Sequence, residues 1–219
     1  MTDRLGNDSP AANRRVRLKI GMLGAGDIAR GVAKYALEQG HEVLLCNHSG
    51  PAKLAQIVAE LGPGAAGVSR AEAAAAEIVL LAVPWESIHD ALSGLPQWNG
   101  RILIDATNPF LNPQHLNVLD DLGGRTSSEI VADLAPGARL VKAFNTMFAS
   151  KLAEGPRPRA GTRRVLFVSG NDEAAKTTVT NLIEGFGFAT IDLGDLKIGG
   201  RMQQAKTAPL AGPDFLLPD

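Results

Sequence analysis

A glycine-rich segment between an apolar run and a helical pattern carries the strongest chemical signal in this sequence. The segment consists of Gly24, Ala25, Gly26, Asp27, Ile28 and Ala29. It matches the pattern G-x-G-x-x-G/A, in which the first glycine permits a tight turn and the second lets the backbone approach a pyrophosphate. Free N–H groups at the start of the following helix would face that anion. A plain tight turn without a ligand is the alternative interpretation.

The loop after the second predicted strand indicates which dinucleotide would bind. Sites for NAD usually carry an acid about 20 residues after the glycines, where it binds the ribose 2′-hydroxyl. Here the loop contains Asn47, His48 and Ser49 and no acid. Because a carboxylate there would repel a 2′-phosphate, its absence favours NADP(H), although the Arg that usually holds this phosphate is missing. The alternative is that these three are ordinary turn residues.

Two further strand ends carry residues suited to a cleft. Pro84 ends the fourth predicted strand and exposes backbone there. After the fifth, the small residues Ala106 and Thr107 leave room for a ring, and Asn108 presents an amide. The alternative for Asn108 and Pro109 is a turn-initiating pair.

Alternating strands and helices must position these residues. Strands are predicted at residues 16–23, 42–46, 66–68, 78–83, 101–105, 139–143, 165–168 and 189–193. Helices are predicted at residues 27–39, 51–61, 70–76, 85–93, 127–134 and 172–184. This alternation predicts an α/β fold, a Rossmann-type doubly wound, mostly parallel sheet with helices on both faces and a small C-terminal extension. Right-handed crossovers would bring the carboxyl ends of the strands to one edge, where ligands bind.

The chain divides into three predicted parts. Residues 1–14 are polar and without periodicity, which predicts a disordered lead-in. Residues 15–150 form the predicted dinucleotide-binding domain, and residues 151–219 a small C-terminal α/β extension. The last stretch, residues 199–219, is expected to be an arm. Ser127 or Ser128 is expected to cap the helix at residues 127–134.

Composition excludes several classes of function. The sequence has 22 Lys and Arg residues and 23 Asp and Glu residues, which give a net charge of −1. It therefore lacks the excess of positive charge that would favour binding to nucleic acid or to an anionic membrane. No apolar run is long enough to span a bilayer, and the N-terminus does not read as a signal peptide. The single cysteine, Cys46, cannot form an internal disulfide, which favours the cytoplasm. No His, Cys and carboxylate cluster has metal-ligand spacing.

Six segments, in order and at these spacings, resemble a known family. They are Ile20–Ala29, Leu81-Ala82-Val83-Pro84-Trp85, Asp105-Ala106-Thr107-Asn108-Pro109, Ser128-Glu129-Ile130-Val131, Val141-Lys142-Ala143-Phe144-Asn145-Thr146 and Gly200-Arg201. On these segments the chain resembles the NADP oxidoreductases that depend on coenzyme F420, a deazaflavin. The same domain is similar to the cytoplasmic part of the six-transmembrane ferric reductases. The likeness extends from about residue 19 to the C-terminal arm.

The resemblance implies cofactors and further site residues. It implies NADP(H) as one cofactor, with F420 or a flavin as the second. In the family, the stretch of Val83, Pro84 and Trp85 lies beside the nicotinamide ribose, although ordinary packing is the favoured interpretation for the Trp85 side chain. Ala82, just before this stretch, is also expected to bind the cofactor. Ala143 and Asn145 belong to the wall against the second ring. The loop after the second strand commonly carries an Arg in the family, and this chain has Ser49 there. A homodimer is the expected assembly.

Hydride transfer is the chemistry that these residues favour. It needs two rings held together in a dry slot, and it does not need a strong acid or base, so no catalytic residue is predicted. A small-molecule redox acceptor, F420 foremost, is the expected partner. Hydroxyacid or imino-acid reductases would add a large helical domain, for which this chain is too short. An NADPH-dependent flavin or ferric reductase, or a redox sensor that binds NADP without turnover, remains as an alternative.

Overall fold

The computed structural model describes residues 17–112, 118–206 and 208–219, so the predicted lead-in at residues 1–14 lies outside the described part. Within it the chain forms nine strands. These are β1 Lys19–Leu23, β2 Glu42–Cys46, β3 Ala65–Gly67, β4 Ile78–Leu81, β5 Ile102–Asp105, β6 Arg139–Lys142, β7 Thr162–Gly170, β8 Ala189–Asp192 and β9 Leu216–Pro218.

All nine strands belong to one sheet. Its order is β3-β2-β1-β4-β5-β6-β7-β8, and β9 pairs with β7. The pairs from β3 to β6 are parallel, whereas β7 runs antiparallel to both β6 and β9. The predicted doubly wound, mostly parallel sheet is therefore confirmed.

Helices cover both faces of this sheet. They are α1 Asp27–Glu38, α2 Ala55–Leu61, α3 Arg70–Ala74, α4 Ile88–Leu92, α5 Ser127–Leu134, α6 Ala149–Glu154, α7 Glu173–Gly185 and α8 Gly199–Gln203. Short 3₁₀ turns at Pro51–Leu54 and Trp85–Ser87 precede α2 and α4.

Strand β4 shows why both faces are apolar. Successive side chains of a strand point to opposite faces. Accordingly, Ile78 and Leu80 belong to the core cluster that includes α1 and α7, whereas Val79 and Leu81 belong to the one that includes α3, α4 and α5. A strand buried on both faces needs a continuous apolar run, which is the pattern seen here.

The structure corrects two details near the predicted helices. The cap of α5 is Thr126, not Ser127 or Ser128, because Thr126 and Glu129 form a reciprocal capping box. The two serines lie fully buried in the first turn instead. Helix α6 was not predicted, because only Leu152 of its residues is buried and its apolar periodicity is weak.

The C-terminal stretch is more ordered than an arm. Residues 199–219 contain both α8 and β9, and β9 extends the sheet next to β7. Arg164 of β7 is 1% exposed, and its Nε donates to Asp214 in this stretch, while its terminal nitrogen Nη2 donates to Glu154 of α6. The sheet runs continuously past residue 150, and the division into domains at that point remains a prediction.

No helix in the described ranges combines the length and the apolar character that a bilayer crossing requires.

Candidate functional site

A cavity of about 500 Å³ lies at the carboxyl edge of the sheet, over the ends of β1, β2 and β4. It is lined by Leu23, Gly24, Ala25, Gly26, Cys46, Asn47, His48, Arg70, Ala82, Val83, Pro84, Ser87, Asp90 and Ala91. Eight predicted site residues are therefore brought together: Gly24, Ala25, Gly26, Asn47, His48, Ala82, Val83 and Pro84.

The glycine turn has two glycines with different roles. Gly24 has a φ of 116°, and a Cβ there would lie 2.2 Å from the carbonyl oxygen of Ala82, so only glycine fits. Gly26 has an extended backbone that any residue adopts, and a Cβ there would meet nothing within 4 Å. The space above Gly26 is thus open toward the cavity and suits a ligand that approaches the backbone.

The start of α1 fits a pyrophosphate. Gly26 is the N-cap residue, and no side chain caps this helix. The first N–H groups of an α-helix have no partner within the helix, and their partial positive charge attracts anions. With the open space above Gly26, the glycine turn has the features that a dinucleotide pyrophosphate requires.

Asp27 and Ile28 do not reach this cavity. Asp27 forms an ion pair with Arg30 and lines a separate depression between α1, α2 and α6. The half-buried Ile28 packs against the apolar core. Their contribution to cofactor binding would come through their backbone N–H groups only.

The loop after β2 presents two of its three predicted residues to the cavity. Asn47 and His48 line it, whereas Ser49 does not. The Ser49 hydroxyl lies 3.0 Å from Nε2 of His48, and its N–H donates to Oδ1 of Asn47 at 3.1 Å. Ser49 therefore supports its two neighbours, because both of its polar groups are used within the loop.

Arg70 is a cavity residue that sequence reasoning missed. It is the first residue of α3, where the capping box of Ser69 and Glu72 fixes the chain. Its terminal nitrogen Nη1 donates to the main-chain oxygen of Asp90. The signal was available, because β3 pairs in parallel with β2 and so ends at the same edge of the sheet.

Cys46 ends β2 at the wall of the cavity. Burial raises the pKa of its thiol, while a hydrogen bond from the Gly24 backbone and the charge of Arg70 act in the opposite direction. A thiol whose pKa is raised carries little thiolate at neutral pH. This fits the packing role expected of a small buried side chain.

The fourth strand end joins the cavity through its backbone. The N–H of Ala82 donates to the Leu23 oxygen at 2.9 Å, which holds β4 next to the glycine turn. The side chain of Trp85 is buried in the core, and its indole N–H donates to Asp120 at 2.8 Å. Trp85 thus packs and anchors the long loop that follows β5.

The ends of β5 and β6 lie beside the cavity but do not line it. These are the predicted residues Ala106, Thr107, Asn108, Pro109, Ala143 and Asn145. The Asn108 amide donates to the Asn145 main-chain oxygen at 2.9 Å, and the Asn145 amide donates to Asn108 Oδ1 at 3.1 Å. The Asn145 amide also donates to the main-chain oxygen of Gln203 at 2.9 Å. Both predicted amides are thereby engaged in fixing two loops to each other and to α8.

Between these loops the backbone is strained. Phe144 is 1% exposed and has a φ of 65°, which a bulky residue rarely adopts. Such a conformation persists only where the surroundings impose it. Here Lys142 and Asn145, on either side of Phe144, are both held by buried hydrogen bonds.

A fully buried ion pair supports the same loops. Nζ of Lys142 lies 3.0 Å from Oδ2 of Asp105, and both side chains are 0% exposed. Ser128 and Thr107 donate further hydrogen bonds to Asp105, and Lys142 donates to Ser127 and to the Thr107 main-chain oxygen. Burial alone would raise the pKa of Asp105, but the charge of Lys142 and these hydrogen bonds outweigh it and hold the pKa below its ordinary value.

Comparison with known proteins places this site in a family. The model of the family described as NADP oxidoreductase coenzyme F420-dependent matches residues 19–109. A proposed F420-dependent NADP-reductase of Arthrobacter sp. FB24 has a solved structure that is 32% identical, with a TM-score of 0.70, and the match covers 82% of this chain and 86% of that one. A hypothetical protein of Sinorhizobium meliloti, SMa0349, is 38% identical with a TM-score of 0.84, over 94% of this chain and 98% of that one.

A longer relative shares the same region. The metalloreductase STEAP3 of Rattus norvegicus is 34% identical over 182 residues, which are 81% of this chain. The match covers 34% of the rat protein, so the chain spans about a third of the length of this curated relative. The fold, the glycine turn and these matches agree, and the chain belongs to the NADP oxidoreductase, coenzyme F420-dependent family.

Proposed function

We propose that this protein transfers a hydride between NADP(H) and a second redox cofactor, and that the deazaflavin F420 is that cofactor. The observation that carries the proposal is the cavity in which the open glycine turn meets the ends of β2 and β4. Family membership supports the cofactor NADP(H). The Arthrobacter relative, which matches along most of both chains, supports F420 as the acceptor.

Each part of the carboxyl edge has a task in this reaction. The backbone around Gly26 and the first turn of α1 bind the pyrophosphate, while Asn47 and His48 face the adenosine end. The backbone of Ala82, Val83 and Pro84 supports the nicotinamide side. NADPH, when bound, supplies the hydride. The joined loops of Asn108 and Asn145 keep the neighbouring wall rigid, so that the second ring meets a preformed surface.

A reductase for flavin or ferric iron is the second candidate. The observation that favours it is the match to the rat metalloreductase over 81% of this chain. That relative is more than twice as long as this chain, and its activity belongs to the whole protein. A protein that binds NADPH without turnover is the third outcome to be tested.

Steady-state oxidation of NADPH separates these candidates. The purified chain is mixed with NADPH and, in separate reactions, with F420, FMN, FAD or a ferric chelate, and the absorbance of NADPH is followed. We expect fast turnover with F420 and slow turnover with the others. Faster turnover with a flavin or the ferric chelate would replace the proposal by the second candidate. Tight NADPH binding without turnover on any acceptor would support the sensor.

The location and the assembly remain part of this proposal. Cytoplasmic residence is supported by the single cysteine, Cys46, which is buried and free. The homodimer remains a prediction. Sedimentation equilibrium of the full chain, with and without NADPH, measures it directly.

A further inference from the structure

Arg70 is the permanent cation of the cavity, and its position points to a specific anion. Among the described residues that line the cavity, Asp90 carries the one carboxylate and His48 the one imidazole. Arg70 donates to the main-chain oxygen of Asp90 and forms no ion pair with a described carboxylate. By contrast, Arg30 on α1 is paired with Asp27. The exposed Arg70 side chain thus has a carbonyl partner on α4 but no ion-pair partner among the described residues.

The order of the strands separates this cation from the glycine turn. Arg70 follows β3, and β2 lies between β3 and β1. Neighbouring strands are about 4.8 Å apart, so the end of β3 is roughly 10 Å from the end of β1, where the pyrophosphate would bind. In a dinucleotide site, the ribose 2′ position lies at the end of β2. Arg70 lines the same cavity as Asn47 and His48 at the end of β2, so a phosphate at the 2′ position is the anion for which this cation is placed.

Two features prepare Arg70 for such an anion. The capping box of Ser69 and Glu72 fixes the backbone from which the side chain starts. The hydrogen bond to the Asp90 oxygen fixes its far end on α4. A guanidinium offers five N–H donors, so one bond to a carbonyl leaves others for a phosphate.

We infer that Arg70 binds the adenosine 2′-phosphate of NADP(H) and selects it against NAD(H). The inference rests on the proposed function and adds the residue that sets the cofactor preference. It also accounts for the loop after β2, which carries no Arg, because the cation comes from the end of the next strand in the sheet.

Isothermal titration of the full chain tests this inference. The wild type and the variants Arg70→Gln and Arg70→Lys are titrated with NADPH, NADH, adenosine 2′,5′-bisphosphate and AMP. Arg159→Gln is the matched control, because it removes the same charge from an exposed residue outside the cavity. For Arg70→Gln, we expect the affinities for NADPH and the bisphosphate to fall about tenfold, with those for NADH and AMP unchanged. Arg70→Lys should lose less affinity for NADPH, since lysine keeps the positive charge but lacks the planar pair of N–H donors that a guanidinium offers to a phosphate.

The alternatives give different results. An equal loss of NADPH and NADH would mean that Arg70 stacks on the adenine, and would overturn the inference. An unchanged preference of Arg70→Gln for NADPH over NADH would also overturn the inference. If the wild type itself binds NADH as well as NADPH, the NADP(H) preference in the proposed function fails, whatever the Arg70 variants show.

Discussion

The two halves of the carboxyl edge use their polar groups in opposite ways. We call the ends of β1 and β2, with Arg70, the open half, and the ends of β5 and β6 the closed half. In the open half, the first turn of α1 has no side-chain cap and Arg70 has no described carboxylate partner. In the closed half, Asp105 and Lys142 are paired with each other and with the first turn of α5.

This difference separates binding from positioning. A polar group can bind a ligand only if its hydrogen bonds are not already used within the protein. A buried group must use them within the protein, because burial without a partner costs about 1–3 kcal/mol or more. The open half is thus equipped to hold the charged parts of a dinucleotide, and the closed half to keep a wall in place.

Removing the cation of the closed half should have the largest effect. In Lys142→Met, the carboxylate of Asp105 is left buried without its ion-pair partner, and we expect the free energy of unfolding to fall by about 3–5 kcal/mol. Urea denaturation followed by circular dichroism measures this. Lys151→Met is the matched control, since the Lys151–Glu154 pair is exposed and should contribute little. Equal losses in both variants would contradict the structural role of the buried pair.

The pH dependence of stability sharpens this test. The folded pKa of Asp105 is lowered from its ordinary value of 3.8, so ionised Asp105 stabilises the wild type above that pH. As the pH falls below 3.8 toward the folded pKa, this contribution is lost. The difference in stability between the wild type and Lys142→Met should therefore shrink in acid. A difference that stays constant through this range would contradict the ionic character of the pair.

In the open half, Gly26→Val should abolish binding and leave the fold intact. The Cβ meets no protein atom within 4 Å, but the side chain fills the space of the pyrophosphate. We expect NADPH affinity to fall at least about a hundredfold, with a nearly unchanged melting temperature. Gly24→Val is the contrasting variant, because its Cβ would clash with the Ala82 oxygen and destabilise the turn itself. Retained NADPH binding in a folded Gly26→Val would refute the pyrophosphate site.

A smaller effect is expected where α8 supports the closed half. The fully buried amide of Gln203 donates to Asn145 at 3.2 Å and to the Phe167 main-chain oxygen at 3.1 Å, and it accepts from Ser169 at 2.6 Å. Gln203→Ala should destabilise the fold by about 1–3 kcal/mol, because these partners become unsatisfied.

The kinetics of Gln203→Ala test the separation of the two halves more directly than its stability does. We expect kcat with the preferred acceptor to fall while the Kd for NADPH, measured by titration, stays the same. Gln56→Ala on the exposed face of α2 is the control for both measurements. If the Kd for NADPH rises instead, the two halves are not separate in function.

The smallest effect should come from adding a cation to the open half. Ser49 is exposed and stands next to His48, which lines the cavity. Ser49→Arg should tighten NADPH about fivefold, or about 1 kcal/mol, and leave NADH unchanged, since only NADPH has a 2′-phosphate. The gain should decrease at high salt, because an exposed charge pair is screened. Ser150→Arg adds the same charge on α6, in the separate depression that Ser150 lines, and an equal gain there would refute a local effect.

Much of the fold and of the open half could be predicted from the sequence, because local patterns determine them. The continuous apolar run at residues 78–83 predicts a strand buried on both faces, and in the structure β4 is buried throughout Ile78–Leu81. Gly24 and Gly26 predict the turn after β1 because their spacing reflects backbone requirements within one short segment. The strand predicted at residues 42–46 likewise has the bounds of β2, Glu42–Cys46.

What the sequence did not reveal depends on contacts between distant segments. Asp105 and Lys142 are 37 residues apart, and Asn145 and Gln203 are 58 apart, so no local pattern links them. Arg70 shares a cavity with Gly26 only because β3, β2 and β1 follow one another in that order across the sheet. The sequence by itself determined the alternation of strands and helices and the glycine turn, since both follow from periodicity and backbone freedom. The tertiary structure decided which polar groups remain free to bind and which are used in packing, because burial and pairing arise only when the strand ends meet at one edge.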